Sequence, residues 1–418
     1  MIRNSFLIAG LAAIGVGSMG LLSGCNPGTP EAPKPTDTKT EKPTATTAGA
    51  RPEATDTGVK AEGDTIKIGL VAAKNGDDRP WGIDSEKGAM IAQDEINAAG
   101  GINGKKVQIL VGDSASTPEG GKSAAEKLVS DGVVAILGEV ASGTTALIEE
   151  VAFAKGIPVV TIGSTRTDLA AKGNNFFRVC YNDDFQGSTM AKFAFEGLKL
   201  HKVAIMTDNK LPYSQGLSKT FREAFTKLGG EIVDEQFYEK GQAQFSGQVE
   251  NMKGKNPEGI FLSGYFTEVG AISKAIRGAG MKDAKLFGGD GWDSPSLITG
   301  GGEAIVDGHF CNHYNNADPR PEVQGFITKW KDKNNGAAPG TTMGALAYDA
   351  ANMTFAAMKR CKDLTAKNII AELENTENFP GVTGKITLKG QGGNPKKDAT
   401  VVRVTKDGFT FAKTFPAE

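Results

Sequence analysis

The sequence predicts an α/β protein built as two doubly wound parallel-sheet lobes. Three observations carry that expectation. Short β-rich runs alternate with helical stretches, the pattern of βαβ units and parallel sheets. Several runs are almost continuously hydrophobic, as strands covered on both faces must be. The eight clearest runs split into two groups of four, before and after about residue 183. The length of 418 residues fits two or three domains at roughly 150 residues each, and 39% hydrophobic with 23% charged residues is a globular balance. A net charge of −2 removes the clustered positive footprint of a nucleic-acid binder.

The runs are 66–72, 106–113, 133–138 and 158–163 in the first group, and 202–208, 231–238, 259–264 and 285–290 in the second. Between the first two, Ala89, Ala92, Ile96 and Ala99 recur at helical spacing and Gly100-Gly101 stops the helix. Glu149-Glu150 reads as a solvated helix face. Beyond the eight, 307–314 is strand-like, 342–361 is helical, 385–390 is another strand, and 399–415 reads as a hairpin turning at Asp407-Gly408. This tail completes both lobes, with segments crossing between them more than once.

The N-terminus reads as an address. Arg3 precedes an apolar stretch from Phe6 to Leu22, too short and diluted for a comfortable transmembrane helix. It ends in Leu22-Ser23-Gly24-Cys25, which resembles a bacterial lipobox. By that resemblance residues 1–24 are a lipoprotein signal peptide and Cys25 is lipidated, with several acyl chains anchoring it stably. The 38 residues from Asn26 to Gly63 hold six Pro and nine Thr, with Val59 the only large aliphatic side chain. Too little apolar surface is available to offset ordering entropy, so 25–63 is expected to be a disordered leash. Three further cysteines, Cys180, Cys311 and Cys361, leave the pairing open.

In open α/β sheets ligands bind outside the carboxyl ends of the strands. The first group ends in a loop to Trp81, in Ala141-Ser142-Gly143-Thr144-Thr145, and in Gly163-Ser164-Thr165-Arg166. The second ends in loops carrying Tyr213, Tyr265 and Asp290-Gly291-Trp292. Hydroxyls, aromatics and one acid are present; none of the three His (His201, His309, His313) falls in these loops. The set suits capture of a small zwitterion. A helix N-terminus with Ser and Thr offers N–H groups and a hydroxyl to a carboxylate, and Asp290 faces an ammonium. The plainer readings are that Ser142 and Thr165 cap helices, that Asp290 is a turn residue and that Trp81 is core. His309, Cys311 and His313 share a strand face, but a fourth metal ligand is lacking nearby, so no metal is expected. No nucleophile elbow, phosphate loop or HExxH is present, and a Ser–His triad lacks its base; no catalytic residue and no cofactor is expected.

The segments GAMIAQDEINAAGGINGKKV (88–107), LVSDGVVAILGEVASGTT (128–145), GIPVVTIGSTRTDLA (156–170), FFRVCYNDDFQG (176–187) and GALAYDAA (344–351) together resemble the leucine/isoleucine/valine-type periplasmic binding proteins of ABC transporters. The resemblance implies the type I periplasmic-binding-protein fold, two lobes joined by a multi-strand hinge. Lobe one would take 64–183 plus 315–398, and lobe two 184–314 plus 399–418. Carried residue by residue, Ser142 matches a carboxylate ligand, Thr165 a threonine that contacts both carboxylate and ammonium, and the Gly163 carbonyl an acceptor for the ammonium. Asp290 matches the acid that pairs the ammonium, and Tyr265 a tyrosine bonding the ligand backbone. Trp81, Ala141, Tyr213 and Met343 fall at side-chain-pocket positions. The chain departs from the family pattern in lacking a lobe-one disulfide, whose positions are Ser116 and Ala141, in Met343 for an aromatic, and in Asp290 for Glu. The implied protein is a monomeric, lipid-anchored, extracytoplasmic binder that delivers an amino acid, branched-chain or otherwise apolar, to an ABC permease. The alternatives are an amide, urea or other small polar solute, a sensor for a separate signalling partner, or an exported hydrolase working through carboxylates.

Overall fold

A computed structural model describes residues 50–417. The first half winds as β1 (Thr65–Ala72), α1 (Arg79–Ala98), β2 (Lys106–Asp113), α2 (Pro118–Ser130), β3 (Ile136–Leu137), α3 (Ser142–Lys155), β4 (Val159–Thr161) and β5 (Phe176–Arg178). These strands form one sheet in the order β2-β1-β3-β4-β5, with every pairing parallel. The second half winds as α4 (Asp183–Lys192), β6 (Lys202–Asp208), α5 (Pro212–Lys227), β7 (Glu231–Tyr238), α6 (Ser246–Gly254), β8 (Gly259–Leu262), α7 (Phe266–Gly278), β9 (Lys285–Gly288), α8 (Pro295–Gly301) and β10 (His309–Asn312). Its parallel part has the order β7-β6-β8-β9-β10, the same winding as the first sheet. The expected fold class, two doubly wound parallel-sheet lobes, is what the chain adopts.

The tail ties the lobes together. After β10 come α9 (Pro321–Lys333), α10 (Met343–Arg360), α11 (Ala366–Glu374) and the small hairpin β11 (Phe379–Gly381) and β12 (Gly384–Ile386). Helix α10 lies against α1 so closely that a Cβ on Gly88 would meet the Gly344 carbonyl oxygen at 1.9 Å. The final hairpin, β13 (Ala399–Val404) and β14 (Phe409–Phe415), turns over Asp407-Gly408 and adds antiparallel strands beside β10.

Several elements differ in detail from the sequence expectation. The runs at 133–138 and 158–163 pair only over two and three residues, because beyond them the chain leaves the ladder to build the loops of the site. Helix α1 begins at Arg79, ten residues before Ala89, the first of the helically spaced positions. Pro80 sits in its first turn, where the missing N–H costs nothing, so Trp81 rides on a helix and not in a loop. Glu149 is turned inward and buried, with neither carboxylate oxygen hydrogen-bonded; burial pushes it well above the usual carboxylate range.

Residues 1–49, including Cys25 and the signal segment, lie outside the described residues. The end of the expected leash does not behave as disordered chain. Arg51 donates to the Gly173 and Phe176 carbonyls at 3.1 and 2.7 Å and pairs with Glu374 at 2.6 Å. Ala61 N–H donates to Leu364 O at 2.9 Å, and Val59 O accepts from Ala366 N–H at 2.8 Å. Backbone groups and one guanidinium bind a surface that is already folded, so little hydrophobic burial is required. Cys180, Cys311 and Cys361 are buried free thiols. Among the described residues no helix is long and apolar enough to cross a membrane.

Candidate functional site

In the order 2-1-3-4-5 the loops leaving strands 1 and 3 diverge and open a crevice at the carboxyl edge. The chain has this crevice twice, at β1/β3 and at β6/β8. One cavity is lined from the first lobe by Trp81, Val140, Ser142, Gly163 and Thr165. From the second it is lined by Tyr213, Tyr265, Asp290 and Gly291, and Met343 at the start of α10 completes it. Eight of the nine residues expected at the site line this one space. The exception is Ala141. It is buried as the residue preceding α3, its N–H held by the Glu139 carboxylate at 2.6 Å, and its neighbour Val140 forms the wall.

On the first bank, Ser142 is the first residue of α3, and its side chain does not cap that helix. Its hydroxyl instead faces the Arg166 N–H at 3.4 Å. The opening turn of α3 therefore presents amides and a hydroxyl, the arrangement that favours an anion. Below it, Glu139 is pushed up to about 7, by burial first and then by the Asp78 charge, against the Ala141 N–H and the Ser114 hydroxyl. The Thr165 loop is clamped by Arg178, a buried guanidinium that donates to the carbonyls on either side, Ser164 O and Arg166 O, each at 2.9 Å. Gly163 is crowded by side chains. A Cβ there would lie 2.9 Å from the Met343 sulfur and 3.0 Å from a Val140 methyl.

On the second bank, Asp290 is 4% exposed and its oxygens have separate partners. Tyr213 OH donates to Oδ1 at 2.8 Å, and His313 Nε2 lies 3.1 Å from Oδ2. Its N–H donates to the Gln186 side-chain oxygen at 2.6 Å, and the Gln186 amide donates to Asp183 at 3.0 Å. The Asp183 N–H donates to Thr165 O at 2.8 Å, so a polar chain runs from one bank to the other. Burial pushes Asp183 up to about 8, with the Asp290 charge acting the same way.

The aromatic wall is shared between lobes. Trp81 stands edge-on to Tyr265 and Phe266, centroids 5.0 Å apart in both cases, and its indole N–H donates to Asp293 O at 2.7 Å. Sequence reasoning missed Val140, Gly291, Gln186, Asp183 and His313. Asp183 and Gln186 sit inside the quoted run 176–187, and His313 was noticed only as a metal candidate. No cluster of three or more metal-ligating side chains exists among the described residues.

Matching crevices that face one another across a buried cavity define a two-lobed solute-binding protein. The chain belongs to the periplasmic binding protein family, whose model matches residues 65–409, and members of that family bind solutes rather than transform them. Among curated relatives, Leu/Ile/Val-binding protein homolog 3 of Brucella melitensis is 32% identical over 71% of this chain and 79% of its own. Among solved structures, a leucine-binding protein of Thermotoga maritima is 31% identical with a TM-score of 0.80, covering 84% of this chain and 99% of that one. The branched-chain amino acid transporter substrate-binding protein of Streptococcus pneumoniae, in complex with isoleucine, is 30% identical with a TM-score of 0.79 over 84% and 99%.

Proposed function

We propose that the chain is the extracytoplasmic binding component of an ABC importer. It captures an amino acid with a branched or otherwise apolar side chain and delivers it to the permease. The observation that carries this reading is the division of the cavity lining. Hydroxyls and the start of α3 stand on one bank and Asp290 on the other, with Trp81, Val140, Tyr213, Tyr265 and Met343 around them. Burying both charges of a zwitterion is costly unless each is paired and hydrogen-bonded. In this reading Ser142 and Thr165 take the carboxylate, and the Gly163 carbonyl, Tyr265 and Asp290 take the ammonium. Because the ligand bridges both banks, it binds the closed arrangement better and so drives closure. The names of the relatives support the side-chain class. A neutral amide or urea would leave Asp290 without a cation. Cys25 carries the lipid that holds the monomer at the membrane, with the residues before Arg51 as its tether.

The test is a thermal-shift screen of the twenty amino acids together with urea and simple amides, since ligands bound only by the native state raise its melting temperature. Leucine, isoleucine or valine is expected to give the largest rise, with the ligand recovered chemically unaltered. A rise with amides alone, or consumption of the ligand, overturns the proposal.

A further inference from the structure

His313 follows β10 and Asp290 follows β9. The two strands are parallel neighbours with Phe310 opposite Gly288, so the residues just beyond them emerge side by side. His313 is buried, and its ring stacks on Tyr181 with centroids 4.4 Å apart and planes at 23°. Its own N–H is held by the Asn312 side chain at 2.8 Å. Nε2 faces Asp290 Oδ2 at 3.1 Å, whereas Nδ1 has no partner. The carboxylate is thus the ring's only polar contact.

That geometry selects a protonation state. With the single proton on Nε2, the imidazole donates to the carboxylate and Nδ1 is a bare acceptor. A second proton would create a buried N–H with nothing to donate to, which is the costlier orphan. Of the charged groups around the ring, Asp290 favours the second proton and Lys397 opposes it, and burial, the largest influence, holds the imidazole below its ordinary value. Asp183 bears on the ring only through Asp290, and Tyr181 offers a ring face. A lysine or arginine in this place would cancel the charge of Asp290; a neutral donor fixes the carboxylate and leaves its charge in place.

We propose that His313 is a positioning residue for ligand capture: as a neutral Nε2–H donor it fixes Asp290 Oδ2, while Tyr213 fixes Oδ1, so that the acid is already oriented when an ammonium arrives. This rests on the amino-acid reading given above.

The test compares His313→Leu, His313→Gln and His313→Asn with wild type by calorimetry using L-leucine. A hydrogen bond to a charged group predicts about tenfold or greater weakening in His313→Leu. In His313→Gln, whose amide nitrogen reaches the place of Nε2, affinity should lie within about threefold of wild type. His313→Asn is too short and should fail as Leu does, so the Gln and Asn pair carries the comparison if Leu does not fold. Wild-type affinity in His313→Leu or His313→Asn, or a loss in His313→Gln as large as theirs, overturns the proposal. A second readout needs no ligand. In protein labelled with ¹⁵N-histidine, the His313 signal, identified by its loss in His313→Gln, should show the neutral Nε2–H tautomer at pH 7. An imidazolium or an Nδ1–H tautomer overturns the inference even if wild type binds no amino acid, a result that would separately overturn the amino-acid reading.

Discussion

Asp290→Asn isolates charge from shape. The side chain is almost fully buried, and asparagine keeps its outline. Tyr213 OH, now 2.8 Å from Oδ1, still finds a carbonyl acceptor, and the N–H of residue 290 keeps its bond to Gln186. On the other side the new amide faces His313, whose imidazole accepts only by moving its proton to Nδ1, where the N–H has no partner. The fold should survive at a cost of about 1–3 kcal/mol for that orphaned N–H, and the counter-charge for a buried ammonium is lost. Removing one partner of a buried ion pair costs roughly 3–5 kcal/mol, which is about 150- to 4,000-fold in affinity at 1.4 kcal/mol per factor of ten. A micromolar wild-type complex, about −8 kcal/mol, would then sit in the high-micromolar to millimolar range. Unliganded stability responds to two opposed changes. Asp183 is raised in part by the Asp290 charge, so the variant relieves that influence while it orphans the His313 N–H, and the ligand-free melting temperature should shift far less than the affinity does. Calorimetry with L-leucine and ligand-free melting measure both. Affinity within about fivefold of wild type would refute the pairing of Asp290 with an ammonium, and a variant that no longer folds without ligand would refute the argument that the fold survives the loss of the charge.

Three further outcomes follow from the packing. Trp81→Phe keeps the ring against Tyr265 and Phe266 but deletes the 2.7 Å bond to Asp293 O that joins the lobes; about 1 kcal/mol is lost from the closed state, seen in stopped flow as a ligand release roughly fivefold faster. Gly88→Ala drives a methyl group into the Gly344 carbonyl and should cost about 2–3 kcal/mol in urea unfolding, whereas Gly216→Ala in α5, with nothing within 4 Å, should be neutral or stabilising by up to about 1 kcal/mol. Asp78 is pushed up to about 6, chiefly by burial. A carboxyl raised on folding contributes its full stability below about pH 4 and loses it as pH climbs through 6, so between pH 4 and 8 wild type should lose about 2–3 kcal/mol that Asp78→Asn does not; parallel unfolding curves across that range would contradict this.

The windings were legible because period and punctuation agree. Continuous apolar runs mark strands covered on both faces, and Gly100-Gly101 stops α1 where the helical spacing ends. The cavity was legible because strand ends alone locate one in this topology, and hydroxyls at two ends with an acid at a third are what made a zwitterion the expected occupant. What escaped notice depends on three-dimensional adjacency. Val140 rather than Ala141 faces the cavity because the bent loop after β3 no longer alternates as a strand does. Glu149 is interior because the docked segment around Arg51 and the loop before β5 cover a face that helical periodicity leaves open. His313 drew attention as a possible metal ligand, since a sequence shows that 309, 311 and 313 share a face but not that β9 ends beside it.

The two halves repeat one winding, and the repetition accounts for how the charges are arranged. In each half the segments leaving the switch-point strands touch the cavity directly, through Trp81 and Ser142 in one and Tyr213 and Tyr265 in the other. The chain beyond the last parallel strand of each sheet, β5 or β10, supplies a residue one layer behind: Asp183, the first residue of α4, after β5, and His313 immediately after β10. Both converge on Asp290, directly or through Gln186. Two carboxyls so close do not both ionise readily, and Asp183 keeps its proton up to about pH 8. The imidazole on the other side is held without its second proton by burial. Neither neighbour adds a charge or cancels one, so the second layer orients Asp290 and leaves its charge for a cation to meet. A cationic side chain at 313, or a forced negative charge at 183, would break that balance in opposite directions: His313→Lys would weaken ammonium capture, whereas raising the pH through 8 would strengthen it until the amino group of the ligand itself loses its proton.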